Sequence, residues 1–297
     1  MDAGLNLHRI REVAGPIEDC FDWTKIQHWI DSVDEDAVER LVMYINEAGF
    51  FWPLLEPYAK FLGPDASVLE IGSGVGVISL LLASNGARVI SCEPETAGFG
   101  RMDELATVIK SSWLLPQNSV ERIKDIFPSS QISVGQFDLV LAINVVEHVD
   151  KPELLILDAT SVLKPHGKGF FVCPNYSFPY EPHFEIPTLF NKRLTEIFFK
   201  RRIKTSKIDD SERFWSELSW PKTSSLSRFL RKHGVVFELP RTVTDAYFAR
   251  LYDDVFLDRK GRTFRLLVTT FRSLIKLLVR ALPARFRPII FLVTYGR

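Results

Sequence analysis

The residues best suited to chemistry begin with Glu70-Ile71-Gly72-Ser73-Gly74-Val75-Gly76. Alternate glycines after an apolar run let the backbone turn sharply and approach a ligand that a Cβ would block. Glu70 sets the ligand's charge, because a carboxylate at the mouth of the turn repels a pyrophosphate and attracts a cation. The dinucleotide fingerprint G-x-G-x-x-G is not completed: Val77 follows Gly72-x-Gly74 at the deciding place, and Ser79 follows Gly74-x-Gly76. No Lys-Ser/Thr pair follows the glycines, which excludes a phosphate-cradling loop. Glu93 lies 21 residues beyond Gly72, where one carboxylate can accept from both hydroxyls of a ribose. Asn144 stands at the end of a central apolar run, where ligands of open sheets sit. Glu147-His148 follows, suited either to direct chemistry or to holding the next loop. His183, in the Pro- and aromatic-rich stretch 174–187, can take a proton from an alcohol near neutral pH. A loop histidine satisfied by backbone is the other reading of it.

The elements that must position these residues follow from periodicity. Val68, Leu69 and Ile71 read as a buried parallel strand, and Val77 to Leu82 as a helix stopped by Asn85-Gly86. Further strands are expected at 87–92, 119–124, 137–143, 169–173, 235–239 and 289–294, with helices at 95–113, 152–163 and 224–233. Lys164-Pro165-His166-Gly167 reads as a turn before the fifth strand. In the N-terminal stretch 1–62, 34–46 reads as one helix and 54–62 as another, with Phe50, Phe51 and Trp52 between them. The fold class is therefore α/β: a doubly wound, mostly parallel sheet with N-terminal helices and C-terminal inserts.

Glu70-x-Gly72-x-Gly74-x-Gly76, the Phe137-Asp138-Leu139-Val140 run ahead of Glu147-His148-Val149, and Leu163-Lys164-Pro165-x-Gly167 carry a resemblance. Together they resemble the class I S-adenosylmethionine-dependent methyltransferases, in the small-molecule branch with ubiquinone-biosynthesis and sugar or lipid methyltransferases. The ligand of that family carries both an ammonium and a sulfonium, which suits Glu70. The resemblance implies a seven-stranded Rossmann-like sheet whose last strand runs antiparallel in a hairpin with the sixth. It implies that Glu70, Gly72, Ser73, Gly74 and Gly76 hold the methionine part of the cofactor and Glu93 its ribose. Asp125 would accept from the adenine amino group, and Ile126 would flank the ring. Asn144 would border the ligand, and His183 and His148 are the candidate catalytic residues. The organisation expected is an N-terminal helical cap at 1–62 and a methyltransferase domain at 63–297. Within that domain lie a cofactor core at 63–173, an acceptor-site insert at 174–222 and a hairpin insert at 240–288. The acceptor implied is a small molecule, with a hydroxyl of a lipid-linked, glycan or quinone-like compound preferred. Another small-molecule or protein acceptor, or a binding module without turnover, remains open.

The 297 residues carry 37 basic and 37 acidic side chains, unevenly spread. Residues 1–62 hold 12 acids against 5 bases, whereas 259–297 hold 10 bases and no acid. In 263–282, Arg265, Arg272, Lys276 and Arg280 share one helical face among large aliphatics. Such a helix suits an anionic membrane surface or, equally, packs its apolar face on the sheet. Bases alternating with aliphatics rather than stacking aromatics argue against nucleic acid. Three separated cysteines, Cys20, Cys92 and Cys173, argue for a reducing compartment. No C-x-x-C or His/Cys cluster suggests zinc, and no metal is expected. No signal-peptide core or spanning run stands out. The expected location is cytoplasmic, with the basic helix as a peripheral membrane attachment in the first of its two readings. Oligomeric state has no signal in the sequence.

Overall fold

The computed structural model describes residues 3–94, 101–128, 131–189, 191–206, 208, 210–250, 266, 269–271, 273–274, 277–278 and 281–296. Seven strands form one sheet: β1 (Ser67–Ile71), β2 (Arg88–Cys92), β3 (Val120–Ile123), β4 (Phe137–Ile143), β5 (Leu163–Pro174), β6 (Phe237–Glu238) and β7 (Ile289–Tyr295). Their order is β3-β2-β1-β4-β5-β7-β6. β1 runs parallel to β2 and β4, and β2 to β3. β6 and β7 pair antiparallel, with Phe237 opposite Thr294. This is the doubly wound Rossmann-like sheet expected, with the reversed last strand.

The chain divides into two compact units: 1–142 with 161–168 and 296–297, and 143–160 with 169–295. In the first unit, α1 (Ala3–Ala14) packs on α2 (Trp23–Ile30) and α3 (Glu35–Phe61). α3 packs in turn on α4 (Val77–Ser84), and α2 on α5 (Met102–Ser112). Residues 1–62 thus share a unit with the first strands of the sheet. Asp34 caps α3 by accepting from Ala37 N at 2.9 Å.

α3 corrects the sequence reading, which placed two helices there. It is continuous through Pro53 and Pro57. The reason is packing: Leu41, Ile45, Ala48, Trp52, Leu55 and Ala59 are all buried, at helical spacing along one stripe. That burial outweighs the hydrogen bonds the prolines remove. Gly49 permits the approach to α1, since a Cβ there would meet Ala14 O at 2.7 Å.

The turn expected at 164–167 is also corrected, because β5 begins at Leu163 and runs through it. Gly296 N donates to Gly167 O at 2.9 Å, which carries the ladder through that stretch. β6 is shorter than expected, with Tyr295 N donating to Val236 O beyond its end.

In the second unit, α6 (Pro152–Ser161) precedes β5, and the insert forms α7 (Lys192–Lys204) and α8 (Ser211–Glu217). α9 (Thr223–Lys232) and α10 (Thr242–Ala249) flank β6. Tyr176, Phe184, Ile186, Ile203, Trp215, Leu218 and Trp220 form the buried cluster of the insert, with Tyr176 stacked on Trp220 at 4.7 Å. The described residues from 266 to 281 are helical. Leu266, Leu274, Leu277 and Leu278 there are 51–67% exposed. Arg265, Arg272, Lys276 and Arg280 lie outside the described residues. Among the described residues no helix is long and apolar enough to cross a membrane.

Candidate active site

The glycine turn joins β1 to α4 in the first unit. Gly72, Gly74 and Gly76 have φ of 69°, 54° and 83°, a region that costs any residue with a Cβ. At Gly74 a Cβ would also stand 3.2 Å from the Tyr44 ring. Glu93, at the end of β2, accepts the Gly74 N–H through Oε2 at 2.7 Å. The two residues read separately from sequence are therefore one piece of structure. Burial raises the Glu93 carboxyl, while the Gly74 N–H and Arg122 pull it down.

Glu70 is only 5% exposed. Ser79 Oγ, on α4, donates to its Oε2. Burial pushes its carboxyl up to about 8; Ser79 opposes the shift, and repulsion from Glu93 and Glu47 adds to it. Glu47 and Tyr44 come from α3 and were missed by sequence reasoning. Tyr44 is itself raised by burial and by Glu47 and Glu93. Arg40, Tyr44 and Glu47 recur at helical spacing; the first two fall inside the helix read at 34–46, and Glu47 just past its expected end. Three acidic side chains thus stand near one turn, and those that are charged favour a cation there.

Beside the turn, a cleft of about 420 Å³ is lined by Ser73, Gly76, Ser79, Ser91, Asp103 and Arg122, among others. Neither Glu70 nor Glu93 lines it. Ser73 Oγ and Arg122 Nε are buried without a hydrogen-bond partner among the described residues. Asp125 is exposed, and its Oδ1 accepts from Ile126 N at 2.8 Å. Ile126 is 66% exposed, an apolar side chain held in solvent just past β3.

The second unit brings together the remaining sequence candidates. Asn144 follows β4 in the left-handed region at φ 53°, and its N–H donates to Val172 O at 2.8 Å. Glu147 and His148 lie on the short helical turn Val146–His148. Ser219 fixes that turn, its N donating to Glu147 O at 2.8 Å. His183 sits in a tight loop closed by Glu181 N to Ile186 O at 2.8 Å. Its Nδ1 pairs with Glu181 Oε1 at 2.6 Å. Glu181 is fully buried and also accepts from Phe184 N at 2.6 Å. The His148 and His183 rings meet edge to face at 5.5 Å, each also against Phe214 at 5.2 Å. Burial, with His183 adding, drives the His148 imidazole down to about 4, so it stays neutral at physiological pH.

With this geometry in view, the comparisons decide the family. Residues 44–222 match a family described as a methyltransferase domain. The chain belongs to that family. It is a class I S-adenosylmethionine-dependent methyltransferase, and S-adenosylmethionine is its cofactor. It is similar to an uncharacterized protein of Mycobacterium tuberculosis, 34% identical over 89% of this chain and 90% of that one. It is also similar to a ubiquinone biosynthesis O-methyltransferase of Xanthomonas axonopodis, 31% identical over 35% of this chain and 41% of that protein. In fold it resembles an S-adenosylmethionine dependent methyltransferase of Mesorhizobium loti, with TM-score 0.50 at 12% identity, covering 83% of this chain and 97% of that one. In the first unit of the methyltransferase, Glu93 is tied to the glycine turn and Glu70 lies buried beside it. In its second unit the buried Glu181 and two histidines come together.

Proposed function

We propose that this methyltransferase moves the methyl group of S-adenosylmethionine to a hydroxyl of a small acceptor, lipid-linked, glycan or quinone-like in character. The observation that carries the reading is the Glu181–His183 pair. An alcohol must lose its proton as the methyl transfers, and His183, oriented by a buried carboxylate at 2.6 Å, is arranged to take it. His148, kept neutral beside it, adds a second ring nitrogen. The partial likeness to ubiquinone biosynthesis O-methyltransferases supports a hydroxyl acceptor.

The cofactor is already activated, so the protein supplies position and charge. Glu70 and the turn Gly72, Ser73, Gly74 and Gly76 take the methionine end. Glu93, anchored on Gly74, takes the ribose hydroxyls, and Asp125 with the exposed Ile126 takes the adenine. Incubation with methyl-labelled S-adenosylmethionine and a lipid extract tests the reading. Label is expected in an ether of a hydroxyl compound with stoichiometric S-adenosylhomocysteine; label only on amines or protein would refute the hydroxyl acceptor.

An anionic membrane surface is the proposed partner of 263–282. Support comes from the exposed Leu266, Leu274, Leu277 and Leu278 and from the four basic residues that the sequence intersperses among them. Flotation with anionic liposomes is expected to carry the protein up at low salt and to fail after Leu274→Ser and Leu278→Ser. Absence of flotation for the wild type removes the membrane partner.

A further inference from the structure

We infer that Glu147, His148 and His183 form a binding site for a divalent transition-metal ion such as Mn²⁺ or Zn²⁺. One ligand atom from each lies within 4.8 Å of the other two. Glu147 Oε1 and His148 Nε2 stand 4.0 Å apart, beyond hydrogen-bond range. Donors around a single ion, with bonds of about 2.0–2.2 Å, stand about 3–4 Å from one another, so closure needs only small side-chain adjustments. The spacing suits two groups that share an ion better than two that share a proton.

Three further observations point the same way. The Glu147 side chain has no exposed surface, so its attraction for a cation would be little screened by solvent. His183 is paired through Nδ1 with Glu181, which leaves Nε2 as the ring nitrogen that would ligate an ion. A carboxylate behind a histidine is the usual outer-shell support of a metal ligand, fixing its tautomer and raising its basicity. The backbone beneath is also set: Ser219 holds the turn of Glu147, and Phe184 N fixes Glu181.

The donor set chooses the ion. Two imidazoles and one carboxylate suit Mn²⁺, Co²⁺ or Zn²⁺ better than Ca²⁺, and such a triad leaves coordination positions open. A hydroxyl, or a pair of neighbouring hydroxyls, fits those positions. A divalent ion lowers the pKa of a bound hydroxyl as it does that of water. This deepens the proposed function and rests on it for the identity of the acceptor. In the loaded protein the hydroxyl proton passes to solvent and His183 serves as a ligand, while in the ion-free protein His183 accepts the proton itself.

The test uses the full chain and Mn²⁺ alone, read by loss of the free-ion electron paramagnetic resonance signal. One ion per chain is expected. His148→Ala and Glu147→Gln should each weaken binding by more than an order of magnitude, and Glu181→Gln by about 10–100-fold. Affinity for S-adenosylmethionine, measured on the same samples, should not move. That second measurement reports on the fold, and it separates failure here from failure of the methyltransferase reading. Wild-type protein that takes up neither Mn²⁺ nor Zn²⁺, or uptake unchanged in the His148→Ala, His183→Ala double variant, overturns the site. Should the variants not fold, the visible spectrum of Co²⁺-loaded wild type decides: nitrogen-ligand d–d bands sustain the site, and an aquo-ion spectrum rejects it.

Discussion

Glu70→Gln is expected to make the cofactor-free protein more stable at pH 8 and to make it a poorer binder of S-adenosylmethionine. The Glu70 carboxyl rises from 4.5 to about 8 on folding. The folded chain therefore keeps a proton that the unfolded chain has released between those values. Stability falls as pH rises through that window, and the full penalty is present above about 8. Glutamine removes the titration and can still hydrogen-bond Ser79. The gain over wild type should thus be absent near pH 4, grow toward pH 8, and reach on the order of 1–3 kcal/mol. Affinity should move the other way, by about 1–3 kcal/mol for a lost charge-assisted contact. In the wild type, binding should tighten toward pH 8 and release a proton, seen as buffer-dependent enthalpy in titration calorimetry. Glu93→Ala serves as the contrast. It should weaken binding to a similar degree, because Gly74 N also loses its acceptor, but without stabilising the protein. Unchanged affinity in either variant would remove that residue from the cofactor site.

The second large effect is on turnover. His183→Ala should lower kcat by about 10²–10⁴-fold while the Kd for S-adenosylmethionine holds. Glu181→Gln should fall in the same direction with the ring still present, because the buried carboxylate fixes the tautomer. Free imidazole should restore part of the His183→Ala rate, which a purely structural histidine would not allow. Full activity in His183→Ala excludes it as the base.

The turn and Glu93 were legible because their signals are local. Glu70, the alternate glycines and the two apolar runs lie within one strand–turn–helix–strand stretch, and that topology fixes their meeting. Glu93 was predicted as a ribose ligand, and its grip on Gly74 could not be read, because a backbone N–H leaves no mark in sequence. Tyr44, inside the helix read at 34–46, carries no mark of what it faces, and Glu47 was missed for a different reason. Gly49, Pro53 and Pro57 look like a helix end, and only the buried stripe from Leu41 to Ala59 shows why the helix continues. The grouping of Glu147, His148 and His183 was hidden because β5 intervenes between them. Each histidine was visible as a candidate by itself, while their convergence depends on the loop that Glu181 closes. The basic helix was the ambiguous case, since periodicity gives an apolar face but not what covers it.

The unbroken run of α3 also bears on where this enzyme can be cut. Every recognisable motif begins at Ser67, so a shortened enzyme starting there looks adequate on paper. It would lack the phenol that leans on Gly74 and the acid that helps define the charge of the pocket, both of which arrive from upstream. An enzyme shortened to Ser67 is therefore expected to hold S-adenosylmethionine more weakly than one that starts ahead of Glu35, as calorimetry on the two would show.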